Sequence, residues 1–120
     1  MAKEPTSKFR IPCSQVLLSM EGDPMMEPTF DGEGRVTGQR QVTLGLVLAA
    51  SANVEQVPDG VTLTILDRYD LLRRFRGAKD PELKIETVIQ VKKLVAERFK
   101  GSPLIAGQAL ELLGDAPSDL

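Results

Sequence analysis

The stretch ETVIQVKKLVAERFKGSPLIAGQALELLG, residues 86–114, decides the fold because it predicts two consecutive helices. In its first half, apolar residues recur at the three- and four-residue spacing of one helix face, and Lys92, Lys93 and Glu97 lie off that face. We therefore expect a helix over residues 86–100. Its apolar stripe consists of Val88, Val91, Val95 and Phe99.

The second half carries the signals of a short helix over residues 103–113. Ser102 stands at the N-cap position, Pro103 at the first helical position and Gly114 just past the end. Gly107 lies inside this helix, where glycine costs up to ~1 kcal/mol relative to alanine. Because glycine has no Cβ, we expect Gly107 to allow the close approach of a neighbouring element.

The turn between these two helices could imitate a helix-turn-helix motif. A recognition helix must present Arg, Lys, Asn or Gln side chains to the bases. The second helix offers only Gln108 and Glu111 as polar side chains. It is therefore interpreted as a packing helix.

Residues 64–77 predict a further helix. Thr64 and Asp67 have the spacing of a capping pair, and Gly77 is a natural C-terminal stop. Before it, residues 57–60 read Val-Pro-Asp-Gly, which is a turn signal. The apolar residues at helical spacing are Ile65, Tyr69, Leu72 and Phe75.

The segment over residues 42–54 can be interpreted in two ways. Val42, Leu44, Leu46 and Leu48 alternate with other residues as in a strand. Thr43 is a suitable N-cap, however, and the alanine-rich run after it suits a helix. The residues alone leave strand and helix open.

The N-terminal part is less regular. Residues 9–18 predict one or two short strands, and residues 30–40 contain three glycines and little apolar content. We expect the latter to form an exposed Gly-rich loop or hairpin tip. The ends, residues 1–8 and 114–120, lack a core-building pattern and are expected to be a flexible arm and a flexible tail around one compact domain over residues 9–113.

These elements predict an α+β fold that is mainly helical, with three to four short helices and a short N-terminal β element. At 120 residues the chain has the length of one domain with one core. The expected core consists of Val47, Leu66, Tyr69, Leu72, Phe75, Val88, Val91, Val95, Phe99, Ile105, Leu112 and Leu113.

The composition excludes much chemistry. The chain has no histidine, so histidine-dependent triads and zinc sites are excluded, and its one cysteine, Cys13, cannot form an internal disulfide. Neither the glycines of 31–38 nor the carboxylates of 21–33 have the register of a phosphate-binding loop or an EF-hand. We expect no catalytic residues, no metal site and no cofactor, and hence not an enzyme.

Positive charge is concentrated in residues 67–100, which carry 10 basic and 6 acidic side chains in a chain of net charge −2. The candidate interaction surface taken from this region consists of Arg68, Arg73, Arg74, Arg76, Lys92 and Lys93. Such a group could contact an acidic protein or a phosphate backbone. The interspersed carboxylates and the sequence pI of about 5.2 favour solvated faces over a nucleic-acid site.

No apolar run reaches the ~20 residues of a membrane helix, and the first residues lack the apolar core of a signal peptide. We expect no contact with a membrane and no secretion by a signal peptide. The expected location is a virion or the cytoplasm of a host cell.

The order of the segments resembles that of small, mostly uncharacterised proteins of tailed phages and prophages. In that group a DGxP-like turn precedes a TLGxV segment, a charged helix, an ExxxxIKxxV helix and a closing PLxVGQxxxLL helix. The matching stretches are EGDPM (21–25), VTLGLVLAASA (42–52), DRYDLLRRF (67–75), ETVIQVKKLV (86–95) and SPLIAGQALELL (102–113).

The chain departs from that pattern at Glu21, Val91 and Ala106, in the Gly-rich insertion over 30–39 and in the basic run over 73–76. The last two put a shared partner in doubt. The resemblance carries over no functional residues, but it favours a helix over 43–54. It implies a phage-encoded protein that acts by protein–protein contact or self-association in virion structure or assembly; the alternative is a small regulator that binds nucleic acid or host machinery through residues 68–100.

Overall fold

The computed structural model describes residues 8–77 and 79–114, and within these ranges the fold is α+β, as predicted. Four helices are accompanied by two small antiparallel sheets of two strands each, β1 with β4 and β2 with β3. The expectations for residues 1–7 and 115–120 lie outside the described residues. In chain order the elements are β1 (Lys8–Arg10), β2 (Met26–Phe30), β3 (Val36–Gln41), α1 (Leu44–Ala52), α2 (Ile65–Phe75), β4 (Glu82–Lys84), α3 (Ile85–Arg98) and α4 (Pro103–Leu112).

Helix α1 forms the centre of the core and resolves the ambiguity over 42–54 in favour of a helix. It contacts α2, α3 and α4, and most of its residues are buried. Thr43 caps it, since its Oγ1 accepts a hydrogen bond from the N–H of Leu46. A helix that is apolar on all sides has no single stripe, so apolar residues at every second position do not indicate a strand here.

Helices α3 and α4 lie where residues 86–100 and 103–113 predicted them. Gln108 joins α4 to the N-terminal segment, because its amide accepts from the N–H of Leu18 at 2.7 Å and donates to the carbonyl of Leu18 at 2.8 Å. The side chain of Ser102 makes no capping hydrogen bond, so Pro103 alone marks the start of α4. With Ala109 and Leu113 buried, α4 is a packing helix.

The core prediction is confirmed for most of its members and wrong for two. Leu66 is 76% exposed and Tyr69 is 57% exposed. Helix α2 instead turns Leu71, Leu72 and Phe75 towards the core, and Arg68 lies on the same side. The confirmed members are either buried (Val47, Phe75, Val88, Val91, Val95, Leu113) or partly buried against the core (Leu72, Phe99, Ile105, Leu112).

The prediction of close packing at Gly107 is wrong for the described residues. Gly107 is exposed, and a Cβ built there would meet none of their atoms within 4 Å. The tight position is Gly45 in the first turn of α1, where a Cβ would lie 2.6 Å from the carbonyl oxygen of Phe75 and 3.1 Å from the Cβ of Cys13. Gly45 therefore lets α1, α2 and the N-terminal segment meet.

Strands β2 and β3 form a hairpin, residues 26–41, that projects from the helices. Neither strand contacts another helix or strand within the described part of the chain. The hairpin includes the region over 30–40 that was expected as a loop or hairpin tip. At about 3.3 Å per residue, the seven steps from Met26 to Glu33 span ~23 Å.

No helix of the described residues is long and apolar enough to span a bilayer.

Candidate interaction surfaces

Arg68, a member of the predicted basic surface, is part-buried, and its guanidinium is held against the end of α1. Its guanidinium donates to the carbonyl oxygens of Ala52 at 3.2 Å and Val54 at 2.9 Å, at the C-terminal end of α1. A cation at that end satisfies carbonyl groups that the helix itself leaves without donors. Arg68 therefore stabilises the contact between α1 and α2, and it also lines the edge of the surface depression beside α2.

The other arginines of α2 differ in their surroundings. Arg74 pairs with Asp70 at 3.0 Å across one turn of the helix. The guanidinium of Arg73 lies over the ring of Tyr69, 5.8 Å from its centre. Arg73 and Arg76 are exposed and make no ion pair within residues 8–77 and 79–114. They are the positive charges that α2 offers to a partner.

Lys92 and Lys93 lie on another part of the molecule. Both belong to α3, which does not contact α2, whereas α1 contacts both of these helices. Lys92 is half-buried, and Lys93 extends over the turn at Gly60. The six predicted surface residues are thus distributed over separate regions, and the structure does not assemble them into one basic patch.

The outer side of α2 carries an apolar surface that the sequence pattern assigned to the core. Ile65, Leu66 and Tyr69, here called the α2 patch, are all exposed. At 3.6 residues per turn they fall in the same sector of the helix as Arg73 and Arg76. Two of them were expected as core residues, and nothing in the spacing of α2 alone distinguishes this stripe from the buried one.

Beside the α2 patch lies a small depression with a volume of about 150 Å³. Its floor is the contact between the C-terminal end of α1 and the first turns of α2. Its size suits a single large side chain. It is lined by Ala52, Asn53, Ile65, Arg68, Tyr69 and Leu72.

The two faces of the hairpin differ, because its apolar side chains all lie on one of them. On the polar face Arg40 pairs with Glu27, and the hydroxyl groups of Thr29 and Thr37 are hydrogen-bonded at 2.9 Å. The opposite face, here called the hairpin face, is exposed and has no covering element within the described residues. Its apolar residues are Met26, Pro28, Phe30 and Val36, of which Phe30 and Val36 are 59% and 65% exposed; Gln39 and Gln41, which pair with Pro28 and Met26, lie on the same face.

The tip of the hairpin, residues 31–35, is organised around Asp31. Its carboxylate accepts hydrogen bonds from the N–H groups of Glu33 at 2.8 Å and Arg35 at 3.0 Å. The backbone hydrogen bond from Arg35, followed by that from Glu33, lowers the pKa of Asp31. The side chain of Arg35 pairs with both Asp31 and Glu33, so the tip has a net charge of −1.

A cleft of about 330 Å³ separates α2 from the β1–β4 ribbon. Its charges are balanced, because its lining carries three basic side chains (Lys8, Arg74 and Lys84) and three acidic ones (Asp67, Asp70 and Glu82). Within the described residues, no group of three or more Cys, Asp or Glu side chains is placed to hold a metal ion. The cleft therefore collects no excess charge of one sign.

Cys13 is buried next to the first turn of α1. Burial, with a smaller contribution from Asp80, raises the pKa of its thiol from 9.0 to about 12. The thiolate is the reactive form, so the environment of Cys13 suppresses its nucleophilic chemistry.

We expect the native protein at pH 8 to be almost inert to iodoacetamide, because a pKa of about 12 reduces the thiolate fraction roughly 1,000-fold relative to a pKa of 9. Mass spectrometry over time would follow the modification, with the urea-unfolded chain as the control. Equal rates for the native and unfolded chains would contradict the buried thiol. Since the folded pKa is the higher one, Cys13 also contributes stability that is complete below pH ~9 and is lost as the pH rises towards 12.

Comparisons of the chain with protein-family models, with curated proteins and with solved structures found no match.

Proposed function

We propose that the chain is a non-enzymatic protein, encoded by a tailed phage or prophage, that acts through protein–protein contacts in the structure or assembly of the virion. The observation that carries the proposal is the projecting hairpin. An isolated two-stranded hairpin is at best marginally stable in water, and this one exposes apolar side chains on a face that no other element of the described residues covers. A partner that covers the hairpin face would stabilise the hairpin and shield its apolar side chains from water.

Two further features support the same function. The α2 patch is a second exposed apolar surface, and contiguous apolar surface rimmed by polar residues is typical of interaction sites. The outer edge of β3 also leaves backbone groups that can pair with another strand. The order of the sequence segments supports the phage origin, since it resembles that of small tailed-phage proteins.

The nucleic-acid alternative is less well supported than the sequence suggested. Arg68 is engaged with α1, Arg74 is paired with Asp70, and Lys92 and Lys93 lie on a different helix from Arg73 and Arg76. A phosphate backbone requires several cations on one continuous surface.

Mass spectrometry of purified phage particles and of particle assembly intermediates tests the proposal. We expect the chain in one of these fractions, at a stoichiometry above that of contaminating host proteins. Its absence from both fractions, together with salt-sensitive binding of the purified protein to DNA or RNA, would replace the proposed function by the regulatory alternative.

A further inference from the structure

We propose that copies of this chain associate head to tail, with the hairpin face of one copy seated on the α2 patch of the next. This inference rests on the proposed function: the partner that covers the hairpin face is a second copy of the chain.

Both surfaces need a cover that the described part of one chain does not supply. Phe30 and Val36 of the hairpin face are 59% and 65% exposed, whereas Met26, at the base of the hairpin, lines a cleft shared with α1. Ile65 and Leu66 of the α2 patch are each 76% exposed, on the side of α2 opposite to its core contact. Covering each surface with the other removes apolar area from water on both copies at once.

The charges beside the two surfaces are complementary. The hairpin face ends at the tip, where the acidic Asp31 and Glu33 outnumber the basic Arg35. Beyond the α2 patch, at the C-terminal end of α2, lie Arg73 and Arg76, which have no ion pair within the described residues. When the hairpin face of one copy contacts the α2 patch of the next, the acidic tip would therefore lie beside the basic end of α2.

The spacings of these features also agree. On α2, about eight residues separate the middle of the apolar patch from the middle of the two arginines, or ~12 Å at 1.5 Å per residue. On β2, about four residues separate Pro28, in the middle of the apolar face, from the tip carboxylates, or ~13 Å at 3.3 Å per residue. A hairpin laid along α2 can therefore make the apolar and the ionic contacts together.

Phe30 is assigned to the depression beside the α2 patch. It is the only aromatic side chain of the hairpin and lies at the end of the apolar face, next to the tip. The depression, with its volume of about 150 Å³, is bordered by Tyr69 and Ile65 and has room for one such ring. Aromatic anchors that fill pockets commonly dominate the energetics of interfaces.

Because the two surfaces differ, the contact is heterologous rather than two-fold symmetric. Every copy keeps one unused hairpin and one unused α2 patch until a ring closes. The assembly expected in solution is therefore a ring or an open chain of subunits.

A mixing experiment with two variants tests this arrangement. Phe30→Asp places a charge in the hairpin face and disables it, and Leu66→Asp does the same to the α2 patch. Each change is at an exposed side chain, so circular dichroism should show native folding. We expect wild-type protein to sediment as oligomers, each variant alone to associate at least ~30-fold more weakly, and an equimolar mixture to form a dimer through its one intact interface.

Met20→Asp is the matched control, since Met20 is an apolar residue 81% exposed that belongs to neither surface. It should leave the sedimentation of the wild type unchanged. Arg73→Glu provides a second probe and should weaken association while retaining the apolar contact, and high salt should weaken the wild-type contact as well.

Monomeric wild-type protein at all accessible concentrations would overturn the inference. A Leu66→Asp variant that still associates would also overturn it, by pointing to pairing between hairpins, and so would a mixture that stays monomeric. The proposed function is judged separately: a chain found in particles but monomeric in solution refutes only the head-to-tail contact, and a self-associating chain absent from particles and intermediates refutes only the virion role.

Discussion

The Leu48→Ala variant is expected to lose about 2–5 kcal/mol of the free energy of unfolding, which is a large part of the stability of a small domain. Leu48 is fully buried in α1, the helix that contacts α2, α3 and α4. Its truncation leaves a cavity at the centre of the core that these helices can fill only by moving together. Urea denaturation followed by circular dichroism would measure the loss.

Leu66→Ala is the matched control because it makes the same chemical change on α2. Leu66 is largely exposed, so the free energy of unfolding should change by less than about 0.5 kcal/mol. Leu66 belongs to the core expected from the sequence, and the two variants therefore distinguish the observed burial from the expected one. Equal losses of the free energy of unfolding for both variants would show that α2 buries the face that carries Leu66.

Gly45→Ala is expected to destabilise the protein by about 1–3 kcal/mol, although alanine favours helices more than glycine does. The added Cβ would lie 2.6 Å from the carbonyl oxygen of Phe75 and 3.2 Å from that of Cys13. Both neighbours are backbone atoms, which can yield only if α2 or the N-terminal segment moves. Thermal and urea denaturation would both register the loss.

Gly107→Ala provides the control with the opposite sign. Gly107 also lies within a helix, but the space beside it is open within the described residues. Alanine there should raise the free energy of unfolding by about 0.5–1 kcal/mol through helix propensity alone. A loss at Gly107 with no change at Gly45 would reverse the assignment of the close contact.

Local signals in the sequence predicted the ends of the helices well, because capping involves residues only three or four positions apart. Thr64 and Asp67 form the reciprocal capping box that their spacing predicts, with bonds of 2.9 and 3.1 Å. Pro103 begins α4, and Gly114 follows its last residues. Such contacts depend on the chain within one turn and not on the tertiary fold.

The buried face of α2 could not be derived in the same way. Two stripes share Leu72 and Phe75, one continuing through Ile65 and Tyr69, the other through Arg68 and Leu71. The second is buried because the guanidinium of Arg68 reaches the carbonyl groups at the end of α1. That contact joins residues 14 and 16 positions apart, which helical periodicity does not encode.

The candidate surfaces were predictable only in part. Arg73 and Arg76 are exposed as their sequence context indicated, whereas the apolar residues of the hairpin are isolated in a polar segment and form one face only after β2 and β3 pair. Glycines at 32, 34 and 38 predicted a turn or hairpin tip. Gly34 and Gly38 have positive φ in the hairpin. Phe30 lies opposite Val36 because the register shifts at a bulge beside Thr29. No local sequence pattern predicted this bulge.

The proposed function in a phage particle depends on the exposed apolar surfaces of this chain. The most direct measurement is the yield of infectious particles when the gene encodes Phe30→Asp, compared with Met20→Asp. We predict a severe loss of yield for Phe30→Asp, with the variant protein folded and present at normal levels, and a normal yield for Met20→Asp. A normal yield for Phe30→Asp would contradict the claim.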